Sequence, residues 1–275
     1  MFVLILSPGK AAGADPFPKT IMPGVQQIGA IAHPPIAESS GLAASSQHPG
    51  VFWTHNDGRK KPVLYAISRE GKSIAEFVIT GTRMDDWEDI AADSAGNLYL
   101  ADIGNNDAKA RQPEVVQIAE PDPKSGSGKV TAKQRWTLQY PGKPFDAEAL
   151  FVWQEWGYVI SKVTQNKPAS LYRLSLAPQT KPSALQLVAR LPITSPVTGA
   201  SLTTDGQKLA VIAKSGAWVF DINGEPGGIA SAKMWHTRLQ GFQIEGCAFT
   251  PDGLLVTAES REIFLFTDLP FRQPK

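Results

Sequence analysis

A chain of 275 residues with 42% hydrophobic and 19% charged residues can bury a sizeable core and is too apolar for extended disorder. Its 27 basic and 26 acidic residues leave a net charge of +1, which supplies no overall field for drawing in nucleic acid or an anionic membrane surface. The one cysteine, Cys247, excludes an intrachain disulfide, and its neighbours Gly246, Ala248 and Phe249 give it the context of a small core residue.

From the N-terminus, a short apolar run from Phe2 to Leu6 leads to the small residues Ala11-Ala12-Gly13-Ala14, the pattern that precedes a signal-peptidase cut. Residues 1–14 are therefore expected to be the remnant of a signal peptide lacking its basic start, and the mature protein to be periplasmic or secreted. No later stretch approaches the roughly 20 apolar residues of a membrane span. The 24 glycines and 22 prolines suit many short strands separated by turns, and residues 25–270 read as one domain.

Val25 to Ile31 is the first predicted strand, and a phrase then recurs five times: an acidic or polar site, a small-residue strand, a turn, and a second strand. It appears as Glu38-Ser-Ser-Gly-Leu-Ala-Ala, Asp86-Trp-Glu-Asp-Ile-Ala-Ala, Asp146-Ala-Glu-Ala-Leu-Phe-Val, Val197-Thr-Gly-Ala-Ser-Leu-Thr and Gln243-Ile-Glu-Gly-Cys-Ala-Phe. Spacings of 48, 60, 51 and 46 residues match four-stranded propeller blades with variable loops. Turns such as Asp93-Ser-Ala-Gly-Asn, Thr204-Asp-Gly and Pro251-Asp-Gly carry the residues a tight hairpin needs. Third and fourth strands follow in each unit except the last, which lacks its fourth. Val25 to Ile31 can supply it, so the expectation is an all-β, five-bladed β-propeller closed by its N-terminal strand. The long second unit holds a loop excursion around Pro121-Asp-Pro-Lys-Ser-Gly-Ser-Gly-Lys, and the alternative is a six-bladed ring with a degenerate blade hidden there.

The run from Asp89 through Asn97-Leu-Tyr-Leu-Ala-Asp to Asn106 resembles an NHL-type propeller repeat. Together with Trp53-Thr-His-Asn-Asp, Asp86-Trp-Glu-Asp and Asp146-Ala-Glu-Ala-Leu, it makes the chain similar to a largely uncharacterised group of bacterial propeller proteins. Glu245-Gly246 more faintly resembles the opening of calcium-dependent gluconolactonase-type propellers, and the acids at blade openings resemble those of propeller phytases. Those resemblances imply a metal at the mouth, while their complete ligand sets have no residue-by-residue match here.

An antiparallel blade puts the start of its innermost strand beside the end of the next, so two columns should ring one mouth of the central channel. The first is Ser40, Glu88, Glu148, Gly199 and Glu245, with Glu38, Asp86, Asp146, Val197 and Gln243 two residues earlier; the second is His55, Asp102, Lys162, Lys214 and Glu259. Clustered carboxylates repel, and a hard divalent ion relieves them; Ca²⁺, which takes carboxylate, amide and water oxygens, is the expected cofactor. Its candidate ligands are Glu38, Asp86, Glu88, Asp146 and Glu245, with amide oxygens from Asn56, Asn105 and Asn106 nearby. His55, Glu148 and Lys162 are the catalytic candidates, and Trp87, Asp102, Lys214 and Glu259 the ligand-binding ones. The competing account is structural: acids at blade openings cap turns and pair with Lys162 and Lys214. Asp93, Asp205 and Asp252 belong to turns, Trp53 and Trp218 to packing between blades, and Arg59-Lys60-Lys61 to a solvated loop tip. With no serine elbow, phosphate loop or zinc-type cluster in the sequence, two functions stand open. One is metal-dependent hydrolysis of a small anionic, lactone or phosphoester ligand; the other is non-catalytic binding of a protein or glycan.

Overall fold

The computed structural model describes residues 17–58, 61–83, 85–108, 111–163 and 166–267. The candidate leader and two members of the basic run, Arg59 and Lys60, lie outside the described residues.

Period-two strands bounded by turns can bury both faces only by standing between like sheets, and each repeat forms one blade of a five-bladed β-propeller. The chain begins with β1 (Lys19–Met22) and β2 (Val25–Ala30). Blade I is β3 (Ser39–Ala44), β4 (Val51–Asn56), β5 (Val63–Ser68) and β6 (Ser73–Thr80). Blade II holds β7 (Trp87–Ala92), β8 (Asn97–Asp102) and β9 (Glu114–Ala119); after the excursion β10 (Gly128–Thr131), it is completed by β11 (Gln134–Gln139). Blade III comprises β12 (Ala147–Trp153), β13 (Trp156–Ser161), β14 (Ser170–Ser175) and, past the short β15 (Ser183–Ala184), β16 (Gln186–Arg190). Blade IV is β17 (Val197–Leu202), β18 (Lys208–Ala213), β19 (Gly216–Asp221) and β20 (Lys233–Arg238). In blade V, β21 (Ile244–Thr250), β22 (Gly253–Ala258) and β23 (Glu262–Phe266) are joined by β2, which runs antiparallel to β23 with Val25 opposite Phe266. The N-terminal strand thus closes the ring, as its apolar pattern predicts, and removes the open edge that three strands would leave.

The excursion in the second unit is not a hidden blade. Its strand β10 lies parallel to β6, with Gly128 opposite Phe77, and extends blade I to five strands. In the same way β15 lies parallel to β11 on blade II. Ser-Gly-rich flanks disguise β10 in the sequence, because its partner is an already formed edge rather than a hairpin mate.

Apolar clusters fill each gap between blades. Trp53, Phe77 and Trp87 pack between blades I and II, and Phe151, Tyr158, Trp218 and Phe220 between blades III and IV. Trp53 and Trp218 thus pack between blades as expected, joined there by Trp87, and Trp53 also donates its indole N–H to Glu120, 2.7 Å away.

At the axis the innermost strands meet almost backbone to backbone. The residues there are Gly41, Asp89, Ala149, Gly199 and Gly246. A Cβ on Gly41 would lie 2.9 Å from the Asp89 Cα, and one on Gly246 2.7 Å from the Gly41 carbonyl carbon. Into this space the fully buried Asp89 carboxylate projects, accepting from the backbone N–H of Ile90 (2.8 Å), Leu150 (2.8 Å) and Ala200 (3.1 Å). One side chain of blade II therefore holds the inner strands of blades III and IV. Burial pushes the Asp89 carboxyl up and the Leu150, Ile90 and Ala200 N–H groups pull it down; hydrogen bonds contribute roughly 0.5–1.5 kcal/mol each, up to about 3 kcal/mol to a charged acceptor, and their loss here would leave buried donors without partners. Asp89→Ala should cost about 3–5 kcal/mol in chemical denaturation. Asp89→Asn should also destabilise, since its NH₂ would face an N–H donor; a variant as stable as the parent would show that the axis needs no such acceptor.

Candidate functional site

Five equivalent backbone hydrogen bonds define the mouth: Asp57 N–H to Glu38 O, Gly104 to Asp86, Lys162 to Asp146, Lys214 to Pro196, and Glu259 to Gln243. Two residues past the acceptor, the innermost strands of blades II to V carry a β-bulge, and that of blade I shifts register just beyond this position. A bulge leaves one residue without a ladder partner and re-aims its side chain. The residues so placed are Glu88, Glu148, Thr198 and Glu245; in blade I Ser40 keeps His55 opposite it, and the shift falls just past it at Gly41 and Leu42.

The predicted first column therefore holds in four blades and shifts in blade IV. There the structural frame begins at Pro196 rather than Val197, and Thr198, not Gly199, occupies the bulge. Ser40 and Thr198 spend their hydroxyls on the next blade's backbone, at Glu88 O (2.7 Å) and Ile244 O (2.6 Å). The three glutamates are left to face the mouth. In the second column Lys162, Lys214 and Glu259 take the predicted places, whereas blade I contributes Asp57 and blade II Gly104.

His55 and Asp102 sit deeper than that column. His55 is fully buried, its ring edge-on to Trp87 at 5.6 Å, with Nδ1 3.0 Å from Asn56 O and Nε2 facing the Asp89 backbone without a well-aligned hydrogen bond. Burial lowers its pKa to about 4, so it is neutral at physiological pH and enclosed by protein. Trp87 is likewise fully buried, donating to Arg83 O at 3.3 Å, and offers no exposed ring for stacking on a ligand. Asp102 accepts from the Asp86 N–H at 2.9 Å and pairs with Arg111, which also reaches Asp86 (3.4 Å) and the Gly104 carbonyl. Arg111 comes from a loop without periodicity, and no sequence signal places it here.

The acids converge as two overlapping groups, Asp57 with Asp86 and Glu88, and Glu88 with Asp146 and Glu148. Within each group, one ligand oxygen per residue lies within 4.8 Å of the others. Of the predicted metal ligands, Asp86, Glu88 and Asp146 belong to these groups; Glu38 and Glu245 do not. Asp57 is the member that sequence reading missed, since its Asn-Asp-Gly setting looks like an ordinary turn. Glu38 stands beside Asp57 through the blade I backbone bond, and Glu245 lies across the mouth near Lys214.

Local cations account for part of this charge. Lys162 pairs with Glu148, stands 3.8 Å from Asp146, and lies 3.4 Å from the Asn106 amide oxygen. Asp146 is further oriented by the Asn105 N–H at 2.6 Å. Glu259 accepts from Gln243. Glu88 differs: it is only 4% exposed, and its carboxylate makes no hydrogen bond to any described residue. Gly104 makes room for it, because a Cβ there would fall on Glu88 Oε1 and 2.7 Å from Asp86 Oδ2. Burial pushes the Glu88 carboxyl well above the usual carboxylate range; Asp57, Asp86 and Asp146 add to the rise and Lys162 opposes it. A hard cation held by carboxylate oxygens fits this donor set.

At the other end of the channel a cavity of about 910 Å³ opens, lined by the far ends of the same inner strands, among them Ala43, Ala91, Val152, Leu202 and Phe249. It is mainly apolar, and its rim acids serve turns. Asp93 accepts from Ala95 and Asn97, and Asp205 from Thr203 and Gln207. The convergent ionisable groups are at the acid mouth, which is where chemistry has material to work with.

No family model matches the chain, and no curated protein matches it. Among solved structures it is similar to a chain in the crystal structure of a nidogen/laminin complex, at 14% identity and a TM-score of 0.48, covering 81% of this chain and 73% of that one. It is also similar to the Dos1 propeller, at 14% identity and a TM-score of 0.41, covering 80% of this chain and 52% of the other. No helix among the described residues is long and apolar enough to cross a membrane.

Burial raises the Glu245 carboxyl to about 7; Lys214 and Lys162 pull against the rise, and Glu259 and Asp57 reinforce it. A folded-state pKa above the unfolded one means that the native state holds a proton the open chain has released. The resulting stabilisation is complete below the ordinary carboxylate range and is lost as pH climbs to about 7. In chelator, Glu245→Gln should therefore gain stability relative to the parent between pH 5 and pH 8. Denaturation midpoints at the two pH values measure this, and a pH-independent difference would contradict it.

Proposed function

We propose that the acid mouth binds one divalent cation, Ca²⁺ by donor chemistry, between Asp57, Asp86 and Glu88, and acts there on a small anionic, lactone or phosphoester ligand. The observation that carries this reading is the buried Glu88 carboxylate, common to both acid groups and without a hydrogen-bond partner among the described residues. Such a group is costly unless something neutralises it. When bound, the ion would polarise a carbonyl or phosphoryl oxygen. Lys162 and Lys214 bring positive charge to the same mouth and would orient an anionic group of the ligand. Glu148, at the mouth and close to Lys162, is placed to take a proton from water; His55, enclosed behind Trp87, is not. The Asp89 to Asn106 phrase supports kinship with NHL-type propellers, and the Phe2 to Ala14 segment supports export to the periplasm or beyond.

Removing bound metal and adding Ca²⁺ back should raise the melting temperature, because a ligand of the native state alone stabilises it by about 2.7 kcal/mol at a hundred times its Kd. Glu88→Ala should abolish the shift, and lactone and phosphoester hydrolysis should then be screened with the loaded protein. A shift without turnover would assign the ion to a protein- or glycan-binding module. The absence of any shift with Ca²⁺, Mg²⁺ or Mn²⁺ would sink the metal reading.

A further inference from the structure

The two acid groups share Glu88 but meet different cations: Arg111 approaches the first only at Asp86, 3.4 Å away, whereas Lys162 is in contact with both Asp146 and Glu148 of the second. Lys162 extends from the end of β13, and its ammonium pairs with Glu148, stands 3.8 Å from Asp146 Oδ2 and lies 3.4 Å from Asn106 Oδ1. These oxygens are of the kinds a hard divalent ion takes. The surroundings are built rather than incidental. Glu148 is 5% exposed, Asp146 Oδ1 is held by the Asn105 N–H at 2.6 Å, and Glu88, buried and without a hydrogen-bond partner among the described residues, completes the group from the neighbouring blade.

We propose that the mouth contains two cation positions, and that Lys162 is a tethered cation filling the second, which takes a divalent ion once the lysine is removed. The inference builds on the metal reading of the first position but concerns a different set of oxygens. An ordinary surface ion pair would form between two long, solvated side chains and contribute little. Here the ammonium is enclosed, with Lys162 only 16% and Glu148 only 7% exposed at their side chains. Glu88 belongs to both groups. With Lys162 committed to Asp146 and Glu148, Glu88 is left to the first position, so the mouth accepts one mobile ion rather than two. A ligand entering it meets one divalent ion beside one ammonium. That pairing matches a carboxylate or phosphate, which can present one oxygen to each.

The test is the number of Ca²⁺ ions bound per chain, measured by equilibrium dialysis and titration calorimetry on the whole protein with Lys162→Met and Lys162→Arg. Lys162→Met should bind one equivalent more than the parent, Lys162→Arg the same number, and Lys162→Met with Glu148→Gln should lose the added ion. If the parent binds one ion and Lys162→Met also binds one, the tethered-cation proposal is wrong and the first position stands. Should the parent bind none and Lys162→Met one, the first position is wrong and the second stands. No binding to either protein overturns both. If Lys162→Met fails to fold in chelator, millimolar Ca²⁺ should restore folding where Na⁺ at equal ionic strength does not, and failure of that rescue would also overturn the proposal.

Discussion

The close approach of five strands at the channel axis governs the rest of the molecule. Gly41, Ala149, Gly199 and Gly246 bring the inner strands together with almost no side-chain volume between them, and Asp89 fills what space remains. The strands do not keep a regular register here: those of blades II to V bulge immediately before the axial residue, and that of blade I shifts at Gly41 itself. In blades II, III and V the bulge turns a glutamate, Glu88, Glu148 or Glu245, toward the same mouth. Packing at the axis and the glutamate column are thus one constraint seen at neighbouring positions, since a bulkier ring at the centre would spread the strands and disperse the acids.

Charge at the mouth is settled residue by residue. Arg111 answers Asp86 and Asp102, and Lys162 answers Asp146 and Glu148. For those acids, a purely structural role in stitching loops and blades is a sufficient account. It fails at Glu88, which burial and like-charged neighbours disfavour as an anion and which receives no hydrogen bond from the described residues in return. Natural folds tolerate such local destabilisation chiefly where a ligand relieves it. The metal reading rests on this failure and not on the number of acids, because acidic clusters that are fully paired are common.

The ring was legible in the sequence because its determinants are local and repeated: turn residues at fixed offsets, short apolar strands, and Val25 to Ile31 matching the strand missing from the fifth unit. The mouth was legible where an acid announces the repeat, at Glu38, Asp86, Asp146 and, through Glu245, in blade V. It slipped by one residue in blade IV, whose opening Pro196-Val197-Thr198 has no acid to fix the frame. It slipped again in the second column, where His55 resembled a site residue by type, although the backbone turns two residues later at Asp57. Arg111 and β10 were hidden for a different reason. Arg111 is placed by Asp102 on the other side of a loop and β10 by β6 on another blade, and neither carries a periodic signal.

The blades share a backbone plan but not a chemistry, and the departure from five-fold symmetry concentrates the site on one side. Blade II inserts Ile103, so that Gly104 rather than a side-chain-bearing residue makes the rim hydrogen bond to Asp86. The four other blades fill the equivalent place with Asp57, Lys162, Lys214 and Glu259. A glycine at this one position lets Asp86 and Glu88 fold over the backbone toward Asp57, where any Cβ would collide with them. Blade III then supplies Asp146, Glu148 and the lysine that join Glu88 in the adjoining group, while blade IV contributes Thr198, whose hydroxyl is already bound to the Ile244 carbonyl. A symmetric ring of five acids would spread its repulsion evenly and favour no one position for an ion. Missing side chains at blade II and a lysine at blade III turn that ring into an off-centre pocket with a defined charge on each side.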